Sequence, residues 1–208
     1  DCTVLINVKR ANLIISDSTI SGDRQALFIR CGTATIEKSE IEFRNDSTYK
    51  NVHKYDDGTT WSSGNETVSS AIVVGSTYKD EAFKGDAKLY LNDLTVKTKS
   101  GSGQNATNNM LITRTDANTS AEVVFGEEGA TFSHSTNGTS YTEVCSVKGV
   151  TSVTSKTTSG QTYGLQITAD DTGITVTEYL EVVGKIITTL PVTQNTKDVK
   201  IPGSLTLK

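Results

Sequence analysis

The residue types suited to sugar recognition are concentrated in the first third of the chain. They are Arg24, Gln25, Arg30, Tyr55, Asp56, Asp57, Trp61, Asn65 and Glu66, with His53 among them. Aromatic side chains offer an apolar ring face for stacking, and amide, carboxylate and guanidinium groups bond to hydroxyls. Trp61 is the one Trp of the chain and stands among small polar residues. These residues are candidates for a glycan-binding cleft. The favoured interpretation is that Trp61 anchors its own segment while Arg24 and Arg30 pair with its carboxylates.

No catalytic or metal-binding signature accompanies these residues. The acidic pairs Asp56–Asp57, Asp80–Glu81, Glu127–Glu128 and Asp170–Asp171 fall in predicted loops, where such pairs are usually solvated turn residues. His53 and His134 lack the spacing of a metal site or a nucleophile triad, and no Ser lies in a Gly-x-Ser-x-Gly turn. We therefore predict no catalytic residue, and we expect both histidines to lie in loops.

The composition favours strands and excludes two partner classes. The chain has 208 residues, with 33 Thr and 21 Ser, and a net charge of −4. Thr is β-branched and fits a pleated, half-exposed surface. An acidic chain without a basic patch is not expected to bind nucleic acid, and no apolar run approaches the length of a membrane span. Because the chain opens directly on a strand-like segment, we expect it to be part of a longer precursor.

The three cysteines, Cys2, Cys31 and Cys145, show no Cys-x-x-Cys spacing. The favoured interpretation is that they pack as small buried hydrophobes. A bridge between Cys2 and Cys31 is the alternative.

An internal repeat indicates the architecture. Residues 13–20 (LIISDSTI) and 34–41 (ATIEKSEI) align at an offset of 21 residues, and 89–96 (LYLNDLTV) repeats the pattern. A more apolar strand recurs between these copies, at 26–30, 71–75 and 110–114. Three short strands in about 21 residues make one turn of a parallel β-helix, in which side chains stack from coil to coil. The repeat therefore predicts that Ile15, Ile36 and Leu91 share one core file.

The predicted fold is all-β: a parallel β-helix solenoid that forms one domain over residues 1–208. A long inserted loop at 44–70 interrupts it, because the spacing between the second and third copies expands from 21 to 55 residues. Insertions of this kind lie on one face of a solenoid, which is often the face that binds ligands or partners. The pattern weakens after about residue 115, and residues 184–208 are predicted to form an irregular tail, either a cap or an extended arm.

One segment resembles a known family. Residues 18–36 (STISGDRQALFIRCGTATI), then a long insertion with Trp61 and Gly64-Asn65-Glu66, then AIVVG at 71–75, resemble pectate-lyase-like domains of secreted or wall-attached bacterial proteins. The resemblance covers about residues 10–100. It implies a right-handed parallel β-helix and a secreted or cell-surface location. Enzymes of this group hold calcium through carboxylates and use an Arg or Lys as base.

Two functions follow as expectations. The first is a non-enzymatic extracellular surface module, such as an adhesin, stalk or lattice component, with weak glycan contact and no cofactor. Its partners would be an extracellular glycan, or neighbouring copies or domains that meet the solenoid ends. The second is a polysaccharide lyase or glycoside hydrolase acting on an extracellular glycan, with calcium if it is a lyase. Only fold analogy supports the second.

Overall fold

The computed structural model describes residues 2–22, 25–43, 52–54, 60–62, 70–75, 85–99, 108–113, 115, 119–158, 161–170, 173–180, 185–189, 198–199 and 205–206. These residues form strands joined by turns and contain no helix, so the predicted all-β class is confirmed. The strands of the first two thirds are β1 (Cys2–Ser16), β2 (Thr19–Gly22), β3 (Gln25–Phe43), β4 (Val52–Lys54), β5 (Thr60–Ser62), β6 (Ser70–Val74), β7 (Ala87–Lys99), β8 (Asn108–Thr113), β9 (Ser120–Phe125) and β10 (Ala130–Ser135). The remaining strands are β11 (Thr142–Val147), β12 (Val150–Thr158), β13 (Gln161–Asp170), β14 (Gly173–Leu180), β15 (Lys185–Thr189), β16 (Asp198–Val199) and β17 (Leu205–Thr206).

The first core file follows the register that the repeat predicts. In the parallel pairs β1–β3, β3–β7 and β7–β9, Ile15 lies beside Ile36, Ile36 beside Leu91, and Leu91 beside Phe125. Ile36 and Leu91 are fully buried. The predicted file is thus confirmed, and Phe125 adds a fourth member that the sequence repeat did not reveal.

Two further stacks of parallel strands surround the same core. In one, β3, β6 and β8 bring Leu27, Ile72 and Leu111 into line. In the other, β2, β3, β7 and β10 align Ile20, Ile41, Val96 and Phe132. These side chains are all buried and belong to one hydrophobic cluster. These side chains are buried together because apolar and polar residues alternate along each strand, and a strand turns every second side chain toward the core.

The bends between two of the stacks share one backbone conformation. Asp17, Lys38 and Asp93 occupy matching positions in successive copies and have positive φ angles of 51°, 46° and 54°. Gly129 takes the same place in the fourth copy, with a φ of 54°. The bends are also tied together by hydrogen bonds, since the Ser18 amide donates to Ser39 Oγ at 3.1 Å. Strand β7 therefore consists of two segments joined at Asp93, and β3 consists of three, joined at Gly32, whose φ is 94°, and at Lys38.

The second half of the chain pairs differently from the prediction of a continuous parallel solenoid. Strands β12, β13, β14 and β15 pair antiparallel in chain order, and β12 and β13 also pair antiparallel with β9 and β8. The physical reason lies in the short connections. Two residues separate Thr158 from Gln161, and two separate Asp170 from Gly173. Connections of this length join antiparallel neighbours, whereas parallel strands need a much longer crossover.

The predicted tail and insertion both contain strands. Within 184–208, β15 pairs with β14, β16 with β11, and β17 with β12. Within the 44–70 insertion, β4 and β5 form an antiparallel pair with His53 opposite Trp61. The main sheet is strongly curled, like half of a barrel. Its curvature places the apolar files inside and leaves the other side chains of the same strands on the outer surface.

Candidate binding surface

Two of the predicted sugar-binding residues, Gln25 and Arg30, lie on the same strand, β3. Gln25 is buried, and alternation places it on the side of Leu27 and Ile29, which face the core. Arg30 is half-buried and lies on the outer side with Phe28. The two side chains are therefore not brought to one face of the strand.

Arg30 is held in place by its neighbours on the outer surface. Its Nη1 donates a hydrogen bond to Asn7 Oδ1 at 3.3 Å, and its guanidinium carbon lies 5.2 Å from the centre of the Phe28 ring. A cation over an aromatic face is attracted by the negative charge of the ring face. This arrangement leaves a planar donor group fixed beside an apolar surface, a combination that suits sugar or carboxylate recognition.

An apolar ladder runs across the outer side of the same stack. The strand register aligns Leu5 with Phe28, Phe28 with Val73, and Val73 with Ile112. Phe28, Val73 and Ile112 form a second buried cluster, separate from the main core. On this outer side of the stack, the side chains of Phe28, Val73 and Ile112 are thus buried, and only Leu5 is exposed to solvent.

The other predicted site residues belong to the insertion, except Arg24, which directly precedes β3 in the sequence. Trp61 and His53 are placed only as backbone partners in the β4–β5 pair. Arg24, Tyr55, Asp56, Asp57, Asn65 and Glu66 lie outside the described residues. The predicted ion pair between an arginine and Asp56, Asp57 or Glu66 therefore stays a prediction.

Sequence reasoning missed a polar cluster on the third stack. Lys97 Nζ lies 2.5 Å from Glu40 Oε2 and 5.7 Å from the centre of the Tyr141 ring. Burial and the nearby Glu42 carboxylate raise the pKa of Tyr141, while Lys97 acts in the opposite direction. Glu40 and Glu42 alternate onto one face of β3, about 7 Å apart along the strand. Strand pairing places Glu42 directly beside Lys97. The sequence alone does not reveal this pairing, so it could not predict the cluster.

The structure describes the acidic pair Glu127–Glu128 and the histidine His134. The surroundings of both indicate structural roles. Glu127 and Glu128 are exposed in the bend before β10, where the Glu128 amide donates to Asn92 Oδ1 at 3.1 Å. The expectation that His134 lies in a loop is wrong, because it is buried in β10. It continues the file of Phe43 and Thr98, and its Nδ1 lies 3.2 Å from Thr98 Oγ1. His134 lies on the same face of β10 as Phe132, which continues the adjacent core file. Its burial follows from that shared face.

Cys31 is a free, buried thiol in β3, paired with Asn7. Desolvation raises its pKa, and the charges of Lys9 and Arg30 partly oppose that effect. The favoured interpretation of Cys31 as a small buried hydrophobe is confirmed, and the Cys2–Cys31 bridge is not formed.

Comparisons with protein-family models, curated proteins and solved structures found no match to this chain. Within the described ranges, no group of three or more His, Cys, Asp or Glu residues is arranged to hold a metal ion. The same ranges hold no helix with the length and apolar character needed to cross a membrane.

Proposed function

We propose that this chain is a non-enzymatic extracellular surface module, built on a right-handed parallel β-helix, whose outer face contacts glycan. The observation that carries the proposal is the aligned register of three strand positions through successive copies of the repeat. A scaffold of this kind extends by stacking and presents a long outer surface, which suits an adhesin, stalk or lattice component.

The proposed extracellular location rests on the resemblance of residues 10–100 to domains of secreted or wall-attached bacterial proteins. The outward positions of the stacked strands carry Thr, Ser and charges of both signs, as in the cross-strand ion pair between Lys88 and Glu122. Such a surface resists non-specific association, as a surface module requires.

The proposed glycan surface combines Arg30 with the inserted segment. The insertion leaves β3 at Phe43, in the stack of β2, β3, β7 and β10, and returns at β6, the parallel neighbour of the β3 segment that precedes Arg30. Its returning end is thereby attached to the stack that carries Arg30. Trp61, opposite His53 in the insertion, supplies the aromatic ring that sugar stacking requires.

Trp61→Ala tests whether this surface binds glycan. If the insertion is a binding site, the variant loses a glycan-array signal of the parent protein while its melting temperature is nearly unchanged. Arg30→Gln, which removes the charge and keeps a polar side chain, should weaken the same signal. Lys148→Gln, at an exposed position in the other half of the chain, serves as the matched control.

The competing outcome is an insertion whose role is purely structural. In that case Trp61→Ala increases protease cleavage within residues 44–70 and leaves glycan binding at the parental level. A parent protein without any glycan signal would also remove the glycan part of the proposal.

A second candidate function is glycan cleavage, favoured by Glu40 and Glu42 beside Lys97 and Tyr141. The two side chains leave the same face of β3 two residues apart, and glycosidases use a pair of carboxyl groups that flank one bond. Glu40 already pairs with Lys97, which favours a structural role for that carboxylate. Release of reducing or unsaturated ends from acidic polysaccharide, with and without calcium, tests this candidate. Glu42→Gln must abolish any such activity for the assignment to hold.

A further inference from the structure

The turn between β10 and β11 carries an asparagine whose side chain is fixed by the turn itself. Asn137 is exposed and precedes Gly138, in the one Asn-Gly pair of the chain. The Asn137 Oδ1 atom accepts hydrogen bonds from the Thr139 and Ser140 amides, each at 2.9 Å. These bonds fold the side chain back along the peptide that follows it. The side-chain amide of Asn137 and the backbone amide of Gly138 therefore belong to one closed turn.

The side-chain carbonyl of Asn137 is surrounded by hydrogen-bond donors. Besides the two backbone amides, two hydroxyl groups donate to Oδ1, Ser135 Oγ at 3.0 Å and Thr139 Oγ1 at 2.9 Å. The donors to this one oxygen thus number four. Donors aimed at a carbonyl oxygen stabilise the negative charge that develops there when a nucleophile attacks the carbon. The turn therefore has the character of an oxyanion hole.

Ser135 connects this oxygen to the neighbouring backbone amide. Its hydroxyl accepts a hydrogen bond from the Gly138 amide at 2.9 Å and donates to Asn137 Oδ1 at 3.0 Å. The residue is buried, with 2% of its surface exposed, so competition from bulk water is small. A hydroxyl that accepts from one group and donates to another can transfer a proton between them. The Gly138 nitrogen and the Asn137 carbonyl oxygen are therefore joined by a proton relay.

We propose that Asn137 is a self-modification site, at which the Gly138 nitrogen attacks the side-chain amide and Ser135 relays the proton. A bond forms between the Gly138 nitrogen and Asn137 Cγ. The Gly138 amide proton passes to Ser135 Oγ, while the Ser135 hydroxyl proton passes to Oδ1. The proton on Oδ1 then moves to Nδ2, the bond between Cγ and Nδ2 breaks, and ammonia leaves. The product is a succinimide ring that closes on the main chain.

Water completes the modification, so the reaction needs no cofactor or oxidant. The exposure of Asn137 gives water access to the succinimide. Addition of water at Cγ gives aspartate, and addition at the backbone carbonyl gives isoaspartate, whose main chain is longer by one carbon. Gly138 suits the attacking position because the absence of a Cβ leaves its nitrogen unobstructed. The turn thus gains a negative charge, an inference that goes beyond the proposed function and does not rest on it.

The rates of deamidation in the folded and unfolded chain test the proposal. The intact protein is incubated at mildly alkaline pH in water enriched in oxygen-18, with and without guanidinium chloride. Mass spectrometry then follows loss of ammonia and gain of oxygen-18 at residue 137. The folded chain should react about tenfold or more faster than the unfolded chain, because the relay and the aligned donors exist only in the folded turn. Equal rates, or a slower reaction in the folded chain, would overturn the proposal.

Two variants separate the proton relay from the polarisation of the carbonyl. Ser135→Ala should lower the folded rate by about tenfold or more and leave the unfolded rate unchanged, whereas Ser135→Thr, which keeps the hydroxyl, should retain the parental rate. Thr139→Val is the matched control, since it removes one donor to Oδ1 and leaves the relay, and it should slow the reaction less. Equal slowing by Ser135→Ala and Thr139→Val, or no slowing by Ser135→Ala, would refute the relay.

The comparison of the folded and unfolded parent requires no variant to fold. Asn92 provides a reference within the same sample. Its Oδ1 also accepts a hydrogen bond from a backbone amide, that of Glu128, but the residue that follows it is Asp93. Asn92 should stay unmodified over the time in which Asn137 reacts. Equal modification of both residues would show that the turn does not promote the reaction.

Discussion

The contribution of a single side chain to the stability of this protein depends mainly on its position in a stacked file. Ile36 is the second member of the file that begins at Ile15, and it is fully buried between the partly buried Ile15 on β1 and the fully buried Leu91 on β7. Thr35, adjacent in sequence, points to the other side and is only partly buried. Neighbouring β-branched residues thus differ sharply in what they contribute to stability.

Ile36→Ala should lower the free energy of unfolding by about 2–4 kcal/mol, through lost burial and the cavity left behind. Thr35→Ala, the matched control on the outer side, should cost less than about 1 kcal/mol. Urea denaturation of both variants measures the difference. Equal effects would contradict the assigned facing of β3.

The buried thiol of Cys31 gives a prediction of pH dependence. Its pKa is raised above the ordinary value of 9.0, mainly by desolvation, so the folded state favours the protonated form. The corresponding stability is fully present below the unfolded pKa and is lost as the pH rises through the folded pKa. We therefore expect the free energy of unfolding to fall above about pH 9 more steeply in the parent than in Cys31→Ala.

Urea titrations of both proteins at several alkaline pH values measure this difference. Comparison with Cys31→Ala isolates the thiol, because Tyr141 has a raised pKa in both proteins. Parallel pH profiles would show that Cys31 does not contribute.

At the scale of elements, the bends between strands decide where the chain can change direction. Three of them use a non-glycine residue in the left-handed region, at Asp17, Lys38 and Asp93. The fourth uses Gly129, where an added Cβ would lie 2.0 Å from the Val147 carbonyl oxygen. The need for glycine at this bend therefore comes from the approach of β11 as well as from the backbone angle.

Gly129→Ala should destabilise the protein far more than Gly149→Ala. Both glycines have positive φ angles, of 54° and 64°, but a Cβ on Gly149 would meet nothing within 4 Å. Gly149→Ala should cost about 1–2 kcal/mol from the backbone conformation alone. Thermal unfolding of the two variants tests this, and similar melting temperatures would argue against the close approach of Val147 to the bend.

For the whole molecule, the number of paired edges should set local stability. Strands β3 and β7 have parallel neighbours on both sides, whereas β1 pairs only with β3 among the described strands. Amides that are hydrogen-bonded and buried open least often. Native-state hydrogen exchange should accordingly show slow exchange in residues 25–43 and 87–99 and faster exchange in residues 2–16. Uniform exchange across all three segments would contradict the edge position of β1 among the described strands.

The sequence by itself determined the strand class and the register of the first half. The alternation of apolar residues and the offset of 21 residues placed Ile15, Ile36 and Leu91 in one file, because stacked copies of a repeat bury the same positions. The insertion at 44–70 was visible as a break in that spacing. Local periodicity is sufficient for such features, since each strand carries its own alternation.

Tertiary structure alone decided which polar groups meet. Glu40, Lys97 and Tyr141 are separated by 57 and 44 residues in sequence, and strand stacking brings them into one cluster. His134 is polar and stands among Ser and Thr, yet it is buried because its strand continues the file of Phe43 and Thr98. The antiparallel second half was also misjudged, although its two-residue connections were present in the sequence. Many strands of this chain have a similar composition, so a Thr-rich segment with little apolar contrast does not by itself specify its pairing partner. The partner is decided only by the packing of the whole chain.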